Sequence, residues 1–174
     1  MDKKIVLRFS ALLLSVTITA LVLLFQKELT NFTHWGYLGI FILNLASSAT
    51  VIFPAPGILT VAAMGMVLNP LIVGVLAGIG SAIGETTGYF AGYGGQLISV
   101  NNKKLSRIQN ALRKGGFLFI TIFSAIPNPI FDLAGISAGL TNYPFGKFIA
   151  ACLLGRIFRN ILLAYLGSHL TTLF

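Results

Sequence analysis

Four charged residues stand inside apolar stretches of this chain: Glu85, Asp132, Arg156 and Arg159. An unpaired charge at the centre of a bilayer costs roughly 2.5–3.5 kcal/mol on insertion scales, so such groups are expected to pair, to face a polar interior, or both. Two acids and two bases can neutralise one another, and Arg156 and Arg159 share a helix face. The chemistry open to them is electrostatic: passage of a charged headgroup, a proton or an ion, or a fixed ion-pair network with no role in turnover. Covalent catalysis is not indicated. His34 and His169 are isolated, Cys152 has no second cysteine, and neither a Ser/His/Asp or Cys/His constellation nor a metal-ligand spacing is present. The sequence therefore predicts no enzyme, no cofactor and no metal.

Two proline-rich breaks interrupt the apolar runs that carry these charges. The first is Phe53-Pro54-Ala55-Pro56-Gly57 and the second is Ile126-Pro127-Asn128-Pro129-Ile130. Pro54 and Pro127 are 73 residues apart, while Pro70 and Pro144 are 74 apart, as are Glu85 and Arg159. A single one-residue gap thus aligns two halves. Paired breaks in corresponding positions point to a transporter-type repeat whose site lies where the breaks meet. Proline lacks an N–H and opens the backbone. At membrane depth such freed groups are tolerated only against protein or a wet cavity. Asn128 has two readings: an amide offered to a headgroup, or the N-cap of a half-helix with Pro129 at its first position. Asp132 falls in the first turn of that half-helix, where the dipole favours a carboxylate.

The elements that must hold these residues are membrane helices. The 174 residues are 56% hydrophobic and 9% charged, against about 25% charged in a soluble domain; mean hydropathy is +0.89. The net charge of +8 sits beside apolar runs, so it sets membrane orientation and does not imply nucleic acid. Residues 5–25 are long enough to span roughly 30 Å and are expected to be a retained first helix, with Arg8 snorkelling toward the interface. Around Pro127, each apolar arm holds only about ten residues, too short to cross. Segment 116–142 is therefore expected to be a re-entrant hairpin, and by repeat so is 35–68, although 35–53 alone is long enough to span. Long helices are expected at 70–98 and 145–170. Gly80, Gly84, Gly88 and Gly92 recur every fourth residue, a spacing that seats another helix backbone or leaves a groove for a lipid chain.

Residues 100–114 carry five positive charges and no acid. They read either as a basic amphipathic helix on an anionic leaflet or as a solvated loop. In both cases they place that segment, and with it Lys3 and Lys4, on the cytoplasmic side. The fold class expected is an all-α polytopic membrane protein: two inverted repeats, each a Pro-broken re-entrant hairpin followed by a long transmembrane helix, behind an N-terminal transmembrane helix. The N-terminus is cytoplasmic, and the short polar tails suggest a bacterial or archaeal plasma membrane.

Gly84-Glu85-Thr86-Thr87-Gly88-Tyr89 is similar to the Gly-acid-x-x-Gly-Tyr signature of the DedA superfamily, also called the VTT-domain or SNARE-associated Golgi family. The run Ala125-Ile126-Pro127-Asn128-Pro129-Ile130-Phe131-Asp132-Leu133-Ala134-Gly135 resembles the second hairpin of that superfamily's vacuole membrane protein branch. The resemblance covers roughly 35–170. It implies two inverted re-entrant hairpins and lipid movement across the bilayer. Bacterial members usually carry an acid after the first-hairpin prolines, where this chain has Gly57-Ile58-Leu59. They also carry arginines around the second hairpin, where it has Asn128 and Asp132. Those departures favour phospholipid scrambling or flipping over polyprenyl-phosphate transport. Glu85, Asp132, Asn128, Arg156 and Arg159 would line the path and Pro54, Pro56, Pro127 and Pro129 would form the hairpin tips. Membrane phospholipids are the expected partners; protons and a homo-oligomer are left open. The rival readings are an ion-coupled carrier of a small solute and a non-transporting scaffold. A groove open to lipid along Gly80–Gly92 would favour the first reading, a sealed cavity the carrier, and a tightly packed centre the scaffold.

Overall fold

Asn69-Pro70 starts the first long helix by a local rule. Proline at the first helical position gives up only an N–H that would have no helical partner, and the Asn69 Oδ1 accepts from Leu71 N at 3.0 Å and Ile72 N at 3.3 Å. A computed structural model describes residues 5–6, 8–10, 13, 17, 35–49, 57–96, 103–126 and 131–170, giving the backbone alone at 103–109, 111, 113, 131–133 and 170. The tip residues Pro54, Pro56, Pro127, Asn128 and Pro129 lie outside the described residues, and so does the side chain of Asp132. Of the expected helix 5–25, the described positions are helical.

All regular structure among the described residues is helical. The order is α1 (Tyr37–Ala49), α2 (Gly57–Gly65), α3 (Pro70–Gly84), α4 (Thr86–Gly95), α5 (Lys103–Ala125), α6 (Phe131–Leu140) and α7 (Phe145–Leu170). Two stretches are long and apolar enough to cross a membrane: Pro70–Gly95, which joins α3 and α4, and Phe145–His169 within α7. The basic segment and the first arm after it run together as α5, kinked at Gly115 (φ −156°, ψ 20°), where the sequence passes from charged to apolar.

The helix that carries Glu85 is loosened there. The Thr86 hydroxyl donates to the Ile83 carbonyl at 2.7 Å and the Thr87 hydroxyl to the Gly84 carbonyl at 2.8 Å. Hydroxyls that compete for carbonyls in this way distort a helix, and here they separate α3 from α4 at a single turn residue. At the other end, α6 stops in a Schellman turn: Tyr143 N–H bonds Ala138 O at 2.9 Å, and Asn142 N–H bonds Gly139 O at 3.1 Å. Asn142 takes the left-handed conformation (φ +54°) that this turn requires. Gln96 Nε2, from the end of α4, donates to the last carbonyls of α6 at Gly139 (2.7 Å) and Leu140 (2.9 Å).

The packing has a regular plan. α1 lies on α3 and α5 on α7; α2 lies on α7 and α6 on α4; α3 and α7 cross at the centre. Lipid gives helices no hydrophobic reason to associate, so small residues that let backbones approach carry the packing. At the central crossing, a Cβ on Gly78 would run into the Ile157 backbone and one on Gly74 into Ile161. The flanking contacts form reciprocal pairs. Gly65 faces the Ala164 carbonyl while Gly167 faces that of Ala62; Gly92 faces the Ile136 carbonyl while Gly139 faces that of Tyr89. Gly65 and Gly139 are 74 residues apart, and so are Ala62 and Ile136. The stripe at Gly80, Gly84 and Gly92 is filled by α1 and α6 and is not an open groove.

Gly78→Ala is expected to lower the unfolding midpoint in detergent, at an overpacking cost of about 1–3 kcal/mol. Gly146→Ala, whose Cβ would meet nothing within 4 Å in α7, is expected to be neutral or stabilising by up to about 1 kcal/mol. Thermal melts of the two variants check the pair, and equal midpoints would contradict the close crossing.

Candidate functional site

A line of buried polar groups runs through the helix centre. It starts at Asn44 on α1, whose Nδ2 donates to its own helix at Ile40 O (2.9 Å) and whose Oδ1 accepts from the Ser81 hydroxyl of α3 at 3.5 Å. One turn beyond Ser81 on the same face stands Glu85, 2% exposed. Its carboxylate pairs with the Arg156 guanidinium of α7 through Oε2 and Nη2. Arg159 is buried three residues along α7, and Asn160, fully buried, one turn beyond Arg156. Gly135 of α6 closes the other side: a Cβ there would lie 3.3 Å from Glu85 Oε1. Asp132 is one turn earlier on α6, with its side chain outside the described part.

Of the residues named from sequence, the structure thus brings Glu85, Arg156 and Arg159 into one buried region, with Glu85 paired to Arg156, not to its repeat equivalent Arg159. Asn44 and Asn160 were not singled out, and Ser81 only as a neighbour of Glu85. The signal was present: an asparagine inside an apolar run, and polar residues four positions from each central charge. Asn160 differs from the others. Among the described residues neither its Oδ1 nor its Nδ2 has a hydrogen-bond partner, and an unsatisfied buried polar group costs about 1–3 kcal/mol. Nearby, the Tyr89 hydroxyl donates to the Tyr143 carbonyl at 2.6 Å, tying α4 to the turn before α7. Arg8 does not simply reach for the interface; its guanidinium carbon lies 5.9 Å from the ring centroid of Tyr93 on α4. Among the described residues no group of three His, Cys, Asp or Glu gathers to hold a metal.

The outer surface is as apolar as the centre is polar. Leu154, Phe158, Leu162 and Leu166, four apart, form an exposed stripe along α7, and Leu59, Val67 and Leu118 are more than half exposed. Contiguous exposed apolar surface of this kind marks contact with lipid or another apolar partner. With two helices of spanning length, it defines the class: a helical membrane protein with a charged centre.

The VTT domain family matches residues 54–169, and the chain belongs to that family. Vacuole membrane protein 1 of Bos taurus is 30% identical over 139 residues, covering 66% of this chain and 32% of the relative. Vacuole membrane protein KMS2 of Arabidopsis thaliana is 30% identical over 122 residues, covering 59% and 28%. The vacuole membrane protein 1 homolog of Dictyostelium discoideum is 30% identical over 151 residues, covering 71% and 37%. The chain therefore spans about a third of the length of the curated relatives it matches. No solved structure matches it. The expected membership of this superfamily, with its vacuole membrane protein branch, is borne out.

Removing one partner of a buried ion pair costs about 3–5 kcal/mol, whereas replacing both with apolar residues is often neutral or stabilising. Glu85→Met and Arg156→Met are each expected to lower the melting midpoint sharply, and the double variant to recover most of the loss. Asn160→Leu, which removes an unsatisfied amide, is expected to raise the midpoint. Thermal denaturation in detergent reads all four variants.

Proposed function

We propose that this protein moves phospholipids between membrane leaflets, as a scramblase or flippase. The observation that carries the reading is the buried polar line Asn44–Ser81–Glu85–Arg156–Asn160 inside a shell of exposed apolar side chains. Intramembrane ionisable groups are costly and default to function. An orphaned amide beside an ion pair is a further cost that packing alone does not reward. In this reading a headgroup passes Glu85, Asp132, Asn128, Arg156 and Arg159 while its tails stay in lipid. The proline tips Pro54, Pro56, Pro127 and Pro129 supply exposed backbone groups along the way.

The halves act as inverted repeats, with 35–68 and 116–142 as re-entrant hairpins. The equal 74-residue offset of the reciprocal glycine contacts supports that symmetry. The N-terminus faces the cytoplasm, on the side of the basic segment. The names of the relatives place those proteins in a membrane, which agrees with the reading. The glycine stripe is closed by α1 and α6, so headgroup passage requires these helices to part. The same closure favours a second reading, a non-transporting membrane scaffold whose charges fix the fold.

Liposomes holding the purified protein, with headgroup-labelled phospholipid bleached from outside by an impermeant reductant, decide between the two. The transport reading expects bleaching beyond the outer-leaflet share. It expects Asp132→Asn and Asn160→Leu, verified as folded, to slow it about tenfold, the rate equivalent of about 1.4 kcal/mol. Bleaching no greater than in empty vesicles would sink transport and leave the scaffold.

A further inference from the structure

Away from the central charges, the fold leaves a cleft of about 780 Å³ between the kink of α5 and the turn that joins α6 to α7. Its floor and walls are mostly apolar: Leu112, Phe117, Leu118, Tyr143 and Pro144. Two glycines make room for it. Gly115 breaks the helix with open space where a side chain would stand, and Gly116 lets α5 close on Tyr143, whose ring lies 2.9 Å from where a Cβ would be. Two cations from different elements line it, Lys114 of α5 and Lys147 of α7, and both are exposed. Among the described residues no carboxylate lines the cleft, and neither lysine forms an ion pair.

The depth of the cleft follows from the chain. Residues 103–114 are the basic run, and the apolar run begins at Gly115. Lys147 sits in the first turn of the spanning helix α7. The cleft therefore lies at the membrane–water boundary, with Phe117 and Leu118 exposed on its apolar side. Its size falls in the range of small-molecule sites, about 300–1,000 Å³. A free anion would meet only the lysines, and a zwitterionic lipid would bring a cation to them. The occupant complementary to both halves carries a net negative phosphate headgroup on an acyl chain.

We propose that this cleft is a binding site for an anionic phospholipid. The headgroup phosphate lies between Lys114 and Lys147, and the start of the acyl chain lies against Leu112, Phe117 and Leu118. The site does not depend on lipid passage at the helix centre, and binding reads it without transport.

The test uses the lipid-stripped protein in an uncharged detergent, with apparent affinities taken from thermal-shift titrations. The probes are dihexanoyl phosphatidylglycerol, dihexanoyl phosphatidylcholine and glycerol 3-phosphate. Phosphatidylglycerol is expected to bind most tightly. Lys114→Ala and Lys147→Ala are each expected to weaken it about fivefold and to leave phosphatidylcholine unchanged, while the double Lys→Arg variant keeps binding. Gly115→Phe, which retains both lysines and fills the cleft, is expected to abolish it. Equal affinity for the two lipids, or phosphatidylglycerol binding indifferent to both lysines and to Gly115→Phe, would overturn the proposal. Glycerol 3-phosphate binding as tightly as the lipid would overturn it too, by assigning the site to a soluble phosphate.

Discussion

Glu85 and Arg156 hold one another at a depth where neither charge is tolerable alone. That single pair ties the helix of the first half to the helix of the second. Much of the centre is arranged around it. Thr86 and Thr87 take the Ile83 and Gly84 carbonyls and loosen the helix beside the carboxylate, and Gly135 brings α6 up to its free oxygen. In a bilayer the pair cannot be replaced by hydrophobic association, because the surrounding lipid is as apolar as the side chains that would pack.

Around the charge pair, contact is made backbone to backbone. Gly74 and Gly78 seat α7 at the crossing, and the reciprocal pairs Gly65/Gly167 and Gly92/Gly139 dock the second arm of each half on the long helix of the other. A carbonyl facing a glycine leaves no room for a side chain, so these contacts fix register as well as distance. The two halves use the same device at the same spacing, and each half is incomplete without the other's long helix. This exchange explains why short arms that could not cross a membrane by themselves are stable here: each is held by a helix that does cross.

The polar line and the boundary cleft answer to different chemistry. The line is buried, nearly closed and internally paired except at Asn160. The cleft is open, cationic and apolar-floored. A protein that handles lipid needs a place where a headgroup leaves water and a place where it crosses the hydrocarbon depth. These two features lie in the positions that such a division of labour requires, with Tyr89 and Tyr143 bridging the helix of the one to the wall of the other.

Composition and proline spacing already determined the all-helical membrane class, the starts of the long helices at Pro70 and near Pro144, and the charged residues of the centre. The reasons are local: proline and asparagine set helix starts by their own geometry, and a charge in an apolar run is conspicuous whatever surrounds it. The merger of the basic segment with the next arm into α5 was not legible, because Gly115-Gly116 reads as a break and only packing of Gly116 on Tyr143 keeps the helix going. Nor was the choice of Arg156 over Arg159 as the partner of Glu85, since both arginines share a face and the crossing at Gly78 and Ile157 decides which one reaches. Sequence spacing also left open whether the glycine stripe holds lipid or helix. The tertiary structure decided for helix, because a carbonyl can approach a bare Cα from only one neighbour, and α1 and α6 are the neighbours that the chain supplies.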